Sequence, residues 1–297
     1  MPEKLIGGVY AAVGTPRDAK GALDEPALCR SLEYLMRKGI RGFAINGATG
    51  EYCLTSREEL GRIAAVALEV TLGKAKVICG IGSAGIRGCL ANAETALEAG
   101  IEALLLPMPH FFPYAQPDLE AFCLEAAARI DAPLLLYNLP FSSPLEPATV
   151  ETLLVDRPNI AGIKDSSGSL NILRALTLTR PGACRIVGSD GVLQSALKEA
   201  CCDGVISGVA SVLPELILSL YAATPGSGSF ADSGSALDEY IEAISPFPVP
   251  WGLKFTGEFL GIGPASFSQP LSAKRRAQAE TLKKWLLTRR EAAEKVA

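Results

Sequence analysis

Short apolar runs alternate along the chain with longer segments of helical period. The runs fall at residues 8–14, 42–46, 76–81, 103–107, 133–138, 160–164, 185–188 and 204–207. They lack the in–out alternation of a strand that faces water on one side. They read instead as strands buried on both faces of a parallel sheet. Their ends lie about 25–35 residues apart, the length of one strand–helix unit.

The intervening segments carry helix signals. Asp24 precedes an amphipathic stretch to Lys38, which Gly39 stops. Ser56 and Glu59 form a capping box ahead of residues 60–72, closed by Gly73. Asp118 is placed to start a helix over 119–130, and Pro158-Asn159 and Pro181-Gly182 are breakers. Eight such units predict an α/β fold, a closed (β/α)8 TIM barrel rather than an open sheet. The chain continues past the eighth unit. A Pro-Gly-Ser-Gly-Ser stretch at 225–229 reads as a flexible break, followed by two or three helices, of which 273–297 is the clearest. The expected organisation is therefore a barrel over 1–224 and a C-terminal helical extension over 225–297.

Composition narrows the function classes. Hydrophobic residues make up 48% of the 297 and charged residues only 20%, so a large core forms, and disorder, coiled coil and collagen are excluded. A net charge of -4 argues against a nucleic-acid or anionic-membrane partner. No run reaches the ~18 apolar residues of a membrane span. Lys4 and the apolar residues after it resemble a leader peptide only faintly. Glu3 and the lack of a cleavage site favour a buried first strand, and a cytoplasmic protein is expected. The eight cysteines form no C-x-x-C pair, and His110 is the only histidine. No metal site is expected, and most cysteines read as small core residues of a reduced protein. Residues 80–85 match G-x-G-x-x-G, but no acid ends the next run to hold a ribose. That motif reads as a tight turn.

Barrel active sites lie at the carboxyl ends of the strands. Lys164 ends the sixth run after four apolar or small residues, so it should enter a desolvated barrel mouth. Desolvation disfavours the ammonium and leaves an amine able to attack a carbonyl. The competing reading is a lysine paired with Asp165. Tyr137 ends the adjacent run. It is placed to shuttle a proton at an imine or a substrate hydroxyl, or else is an ordinary rim tyrosine. The turn 47–50, flanked by glycines, offers backbone N–H groups and the Thr49 hydroxyl, an anion nest suited to a carboxylate. A Schiff-base lysine beside such a nest implies an α-keto acid, of which pyruvate is the smallest.

These residues carry a family resemblance. Gly47-Ala48-Thr49-Gly50-Glu51, Tyr137-Asn138-Leu139-Pro140, the run from Gly162 through Lys164 to Gly168, and Gly204-Val205-Ile206-Ser207 together resemble the dihydrodipicolinate synthase / N-acetylneuraminate lyase family of class I aldolases. The likeness spans nearly the whole chain. It implies a (β/α)8 barrel with a helical extension, assembled as a homotetramer or dimer. It implies an imine between Lys164 and pyruvate, with Tyr137 as acid/base. Thr49 and the Ala48 backbone would hold the carboxylate, the Ile206 carbonyl would line the pocket, and Gly188 and Asp190 would face the distal part of the substrate. No metal or organic cofactor is implied, because the imine is the electron sink.

Departures from the pattern steer the substrate. The synthase's first turn threonine is Ala48 here, its interface tyrosine falls on Phe111, and its carboxylate-gripping arginine falls on Ser142. Loss of a charged hydrogen bond to a carboxylate removes about 1.5–3 kcal/mol. Ser142, Ser143, Ser166 and Asp190 instead suit a 2-keto-3-deoxy sugar acid, cleaved to pyruvate and an aldehyde. The acidic residue that adjoins Asp190 in the lyase is Gly191 here. The alternatives are the synthase or a keto-sugar-acid dehydratase and, from another class, a non-catalytic keto-acid-binding protein. His110 lies in the loop after the fourth run, either solvated or in contact with substrate or a neighbouring subunit. No basic cluster near 188–190 or 208–211 marks a phosphate site.

Overall fold

The computed structural model describes residues 4–294. Eight parallel strands close into a barrel in chain order. They are β1 (Gly8–Ala12), β2 (Gly42–Ile45), β3 (Lys76–Gly80), β4 (Leu104–Pro107), β5 (Leu134–Asn138), β6 (Ile160–Asp165), β7 (Cys184–Val187) and β8 (Gly204–Ser207). Pairing of Gly8 with Gly204 through Ala11 with Ser207 shuts the ring. Each strand lies within two residues of its expected run. The first run folds as β1, while Glu3 lies outside the described residues.

A helix follows each strand: α1 (Glu25–Arg37), α2 (Arg57–Thr71), α3 (Ile86–Glu98), α4 (Gln116–Arg129), α5 (Pro147–Asp156), α6 (Asn171–Thr179), α7 (Leu193–Lys198) and α8 (Pro214–Ala222). The Asp24 carboxylate accepts from the Ala27 amide at 2.9 Å. Ser56 and Glu59 exchange hydrogen bonds of 3.1 Å across the start of α2. Each such cap contributes about 1 kcal/mol. Asp118 is a correction. It sits inside the first turn of α4 and accepts from the Ala115 amide at 3.1 Å. The helix starts earlier because Pro117, with its preset φ and missing N–H, fits a first turn.

Two apolar layers explain the unbroken hydrophobic runs. Tyr10, Ala12, Ala44, Ile78, Leu105, Leu135, Ile186 and Ile206 fill the barrel. The alternate residues, among them Leu104, Leu106, Leu134, Leu136 and Ile163, pack outward against the helices. Both faces are dry, so alternation disappears from the sequence. Full burial of each leucine contributes about 1.5–3 kcal/mol.

Beyond the barrel come α9 (Gly228–Ile244), α10 (Trp251–Phe259) and α11 (Ala273–Glu294). Residues 228 and 229 of the expected break are the first of α9, because the Ser227 hydroxyl caps that helix at the Phe230 amide. The Tyr240 hydroxyl donates to Thr256 at 2.9 Å and ties α9 to α10. Among the described residues no helix is long and apolar enough to cross a membrane.

Candidate active site

The turn after β2 is held from several sides. Asn46 and Glu51 take left-handed conformations at φ +50° and +54°. The Asn46 side chain donates to the Gly80 carbonyl at 2.7 Å, and the Thr15 hydroxyl donates to the Gly50 carbonyl at 2.9 Å. Glu51 is nearly buried and meets Lys254 of α10 at 2.5 Å. Lys254 also donates to the Ser266 carbonyl at 2.6 Å. Charge from the extension thus closes the turn that carries Ala48 and Thr49. Two of the three glycines of the 80–85 motif, Gly80 and Gly82, are explained by close approach, while Gly85 has open space around it. A Cβ on Gly80 would stand 2.1 Å from the Asn46 carbonyl oxygen, and one on Gly82 would stand 2.4 Å from the Tyr52 ring.

Lys164 and Tyr137 are register partners on β6 and β5. Side chains alternate along a strand, so both point into the barrel mouth while Asn138 and Asp165 point out. The Lys164 amine stands 4.0 Å from the Tyr137 ring centroid, and both residues are buried, at 3% and 2% exposure. Asp165 is occupied elsewhere. Its Oδ1 accepts from the Asn138 amide group at 3.0 Å and from the Ser167 N–H at 2.9 Å. The Asn138 oxygen in turn accepts from the Leu145 amide at 3.1 Å. No ion pair joins Lys164 to Asp165, which removes the bland alternative for the lysine.

β7 and β8 supply the opposite wall. A Cβ on Gly188 would lie 2.0 Å from the Ser166 hydroxyl and 2.9 Å from Lys164 Cε. Glycine there lets the chain just after β7 pack against the Lys164 side chain. Asp190 Oδ2 accepts from the Val209 amide at 3.2 Å, while its Oδ1 is out of solvent with no partner. Burial pushes the Asp190 carboxyl above the usual carboxylate range, against hydrogen bonds from Ser207 and Val209 and the nearby charge of Lys164. The Ser166 hydroxyl is likewise buried and unpartnered. These groups surround a cavity of about 300 Å³.

Comparison with known proteins now bears on this geometry. Residues 5–288 match the dihydrodipicolinate synthetase family. The chain belongs to that family. Its members are carbon–carbon lyases of the aldolase type, and this chain is an enzyme of that class. It is 29% identical over 244 residues to a 4-hydroxy-tetrahydrodipicolinate synthase of Salinibacter ruber, covering 82% of this chain and 80% of that one. It is 30% identical over 218 residues to an uncharacterized DapA-like lyase of Halobacterium salinarum, covering 73% and 71%. Among solved structures, it superposes on YagE, an Escherichia coli prophage protein of the same family crystallised with pyruvate. The TM-score is 0.85 and the identity 26%, covering 95% of this chain and 99% of that one.

Most residues expected from this family's motifs line one cavity. Lys164, Tyr137, Ala48, Thr49, Ser166, Gly188, Asp190 and Ile206 all face it. Ser142 does not. Its hydroxyl donates to the Leu139 carbonyl at 3.0 Å. Ser143 also turns away and accepts from the Tyr114 amide at 2.8 Å. Sequence reasoning missed the apolar wall from the extension: Ile241, Ile244, Phe247 and Leu253. Its only trace in the sequence is apolar residues placed on helices whose docking face the pattern does not fix. Five of the eight cysteines are buried, two are partly buried and Cys53 is exposed. Burial pushes every thiol up, Cys79 to about 12 and Cys89 to about 11, so none is an activated nucleophile. Among the described residues no group of His, Cys, Asp or Glu is placed to hold a metal ion.

Proposed function

We propose that this lyase is a Schiff-base aldolase that uses pyruvate as its imine-bound partner. The observation that carries the reading is the buried Lys164 amine, 4.0 Å from the Tyr137 ring and free of any ion pair, at the floor of the cavity. Nζ attacks the keto carbon of pyruvate, and the keto oxygen leaves as water. The protonated imine then draws electrons from the carbon–carbon bond that breaks. Tyr137 handles the protons on the departing oxygens. Thr49 and the Ala48 backbone hold the carboxylate, and the Ile206 carbonyl lines the same side. The pyruvate bound to YagE is in keeping with this assignment.

The favoured substrate is a 2-keto-3-deoxy sugar acid, cleaved to pyruvate and an aldehyde. Asp190 Oδ1 and the Ser166 hydroxyl are buried and unpartnered, which suits the hydroxyls of such a chain. Among the described residues Lys164 is the only basic one lining the cavity, so a second carboxylate, as in the synthase substrate, meets no other cation there. The synthase reading keeps support from the names of relatives such as that of S. ruber. A dehydratase would share the same imine. A homotetramer or dimer belongs to the proposal and is read by light scattering. The deciding experiment is borohydride reduction with pyruvate, followed by peptide mapping. A pyruvyl adduct on Lys164 is expected, and a folded protein with no adduct overturns the reading in favour of a keto-acid binder. Turnover of a panel of sugar acids against aspartate semialdehyde then separates aldolase from synthase.

A further inference from the structure

The cavity has two kinds of wall. At the strand ends stand polar groups: Lys164, Ser166, Asp190 and Thr49. Among the described residues, α9, the loop over 245–250 and α10 add eight to the lining, and none of the eight has a polar side chain. The backbone there is occupied as well. The Ile244 carbonyl accepts from the Phe247 amide at 3.0 Å, and the Pro248 carbonyl accepts from the Trp251 amide at 2.7 Å. Pro248 and Pro250 carry no N–H. A hydroxyl pressed against this wall gives up water and finds no partner. The two walls meet at Gly208, where a Cβ would lie 3.0 Å from Leu253 Cδ1, 3.7 Å from Asp190 Oδ2 and 3.8 Å from Thr49 Oγ1.

The apolar wall is built in advance. Phe247 packs on Phe255 with ring centroids 5.3 Å apart, Phe255 on Phe267 at 4.7 Å, and Phe267 on Trp251 at 4.9 Å. A surface already in place needs no ordering when an apolar group arrives. Two large apolar residues of the lining are open to water, Val249 at 71% exposure and Phe141 at 60%. An apolar group that enters beside them takes their surface out of water as well as its own.

We propose that the acceptor aldehyde is amphipathic, hydroxylated next to its carbonyl and ending in a short alkyl or aryl group. The inference rests on the imine reading of Lys164 and narrows its sugar acids to those with an apolar far end. The imine of pyruvate loses a C3 proton, and C3 bonds to the aldehyde carbon. The aldehyde oxygen takes up a proton and becomes the C4 hydroxyl, and water frees the product from Lys164. That hydroxyl and one on the next carbon fall to Asp190 Oδ1 and the Ser166 hydroxyl, both buried without a partner. The carbons beyond them meet Ile241, Ile244, Phe247, Val249 and Leu253.

The test uses the intact enzyme with pyruvate and matched aldehydes, and reads kcat/KM for product formation by NMR. Each pair differs only by a terminal methyl in place of a hydroxyl: 2-hydroxybutanal against glyceraldehyde, and 2,3-dihydroxypentanal against erythrose of the same configuration. The methyl member is expected to be favoured about 10–100-fold, the range for a buried hydroxyl without a partner. Lengthening 2-hydroxybutanal to 2-hydroxyhexanal should add about fourfold per methylene. Val249→Asn and Ile241→Gln give the wall a polar side chain, and each should lower the methyl-to-hydroxyl ratio about fivefold or more. The ratio is taken within one sample, so it does not depend on how much of a variant folds. A wild-type ratio at or below one overturns the inference, as does a ratio within about twofold of wild type in both variants. Borohydride trapping of an adduct at Lys164 without turnover of any aldehyde overturns it too. With that adduct present, these outcomes leave the imine reading standing, whereas wild type without an adduct overturns both.

Discussion

Lys254→Met tests how far the extension governs the barrel mouth. Lys254 and Glu51 meet at 2.5 Å with side chains 11% and 9% exposed. At an effective dielectric of 20, Coulomb's law gives about 7 kcal/mol of gross attraction at this separation, most of it offset by desolvation. Removing the lysine leaves the Glu51 carboxylate buried and unpaired, which costs about 3–5 kcal/mol. It also frees the Ser266 carbonyl and releases a residue held at φ +54°. With a urea slope of about 3 kcal/mol/M, the midpoint falls by about 1–1.7 M. The assay is urea unfolding at fixed protein concentration, since any assembly shifts the midpoint. Glu51→Gln and the double variant complete a cycle. Glutamine in place of glutamate removes the stranded charge, so the double variant should recover at least ~1 kcal/mol relative to the sum of the singles. The pyruvate KM should rise in Lys254→Met, because Thr49 lies two residues from Glu51. A midpoint within ~0.3 M of wild type, or a coupling below ~0.5 kcal/mol, would refute the reasoning.

Further outcomes are expected. Gly188→Ala places a methyl 2.9 Å from Lys164 Cε and 2.0 Å from the Ser166 hydroxyl. It should cost about 1–3 kcal/mol of stability but slow adduct formation about 10²-fold through misplacement of the amine, as read by unfolding and trapping on one sample. Asp203 is pushed up by burial, but hydrogen bonds from Arg185 and Lys4 outweigh this and hold it below the usual range. A depressed folded value means that this stability is present at neutral pH and lost as pH falls through the folded value. Asp203→Asn should therefore lose about 1.5–3 kcal/mol at pH 7 and show a flatter acid limb in unfolding below about pH 4. Asp190 has the opposite sign. Its folded value is raised, so its contribution is present at low pH and lost as pH rises above the ordinary value of about 3.9. Asp190→Asn should become more favourable to stability, relative to wild type, between pH 4 and 7, while losing turnover of polyhydroxy substrates. An unchanged stability difference across that interval would discard the assignment.

The barrel was legible because its information is local. Runs such as Leu104–Pro107 and Leu134–Asn138 are apolar on both faces, and glycine or proline punctuates the helices between them. Lys164 and Tyr137 were legible for the same reason. Each ends an apolar strand, and adjacency in the chain order is adjacency in the barrel. What escaped depends on distant segments. Glu51 and Lys254 are 203 residues apart, and neither is marked by its neighbours as a buried ion. Ser142 looked available because it follows a strand end, yet the tight loop returns its hydroxyl to Leu139. The misplaced start of α4 is a smaller case of competition between signals, in which a proline in the first turn outweighed an acidic residue further in. His110 was ambiguous in sequence because its neighbour Tyr52, 3.5 Å away, stands on another strand's loop.

The apolar wall from α9 and α10 has a consequence for how such an enzyme diverges. The groups to which the imine proposal gives the chemistry stand on strands whose inner positions are filled, so change there is costly. Ile241, Ile244, Phe247 and Leu253 line the same cavity from the extension and carry no group to which the proposal gives a chemical role. Adding or removing one methylene at such a position is worth about 0.8 kcal/mol, roughly fourfold in preference between two substrates. Three such exchanges compound to a factor of about sixty if they act independently. Acceptor size can thus drift in small increments through working intermediates, with the proposed lysine chemistry inherited unaltered.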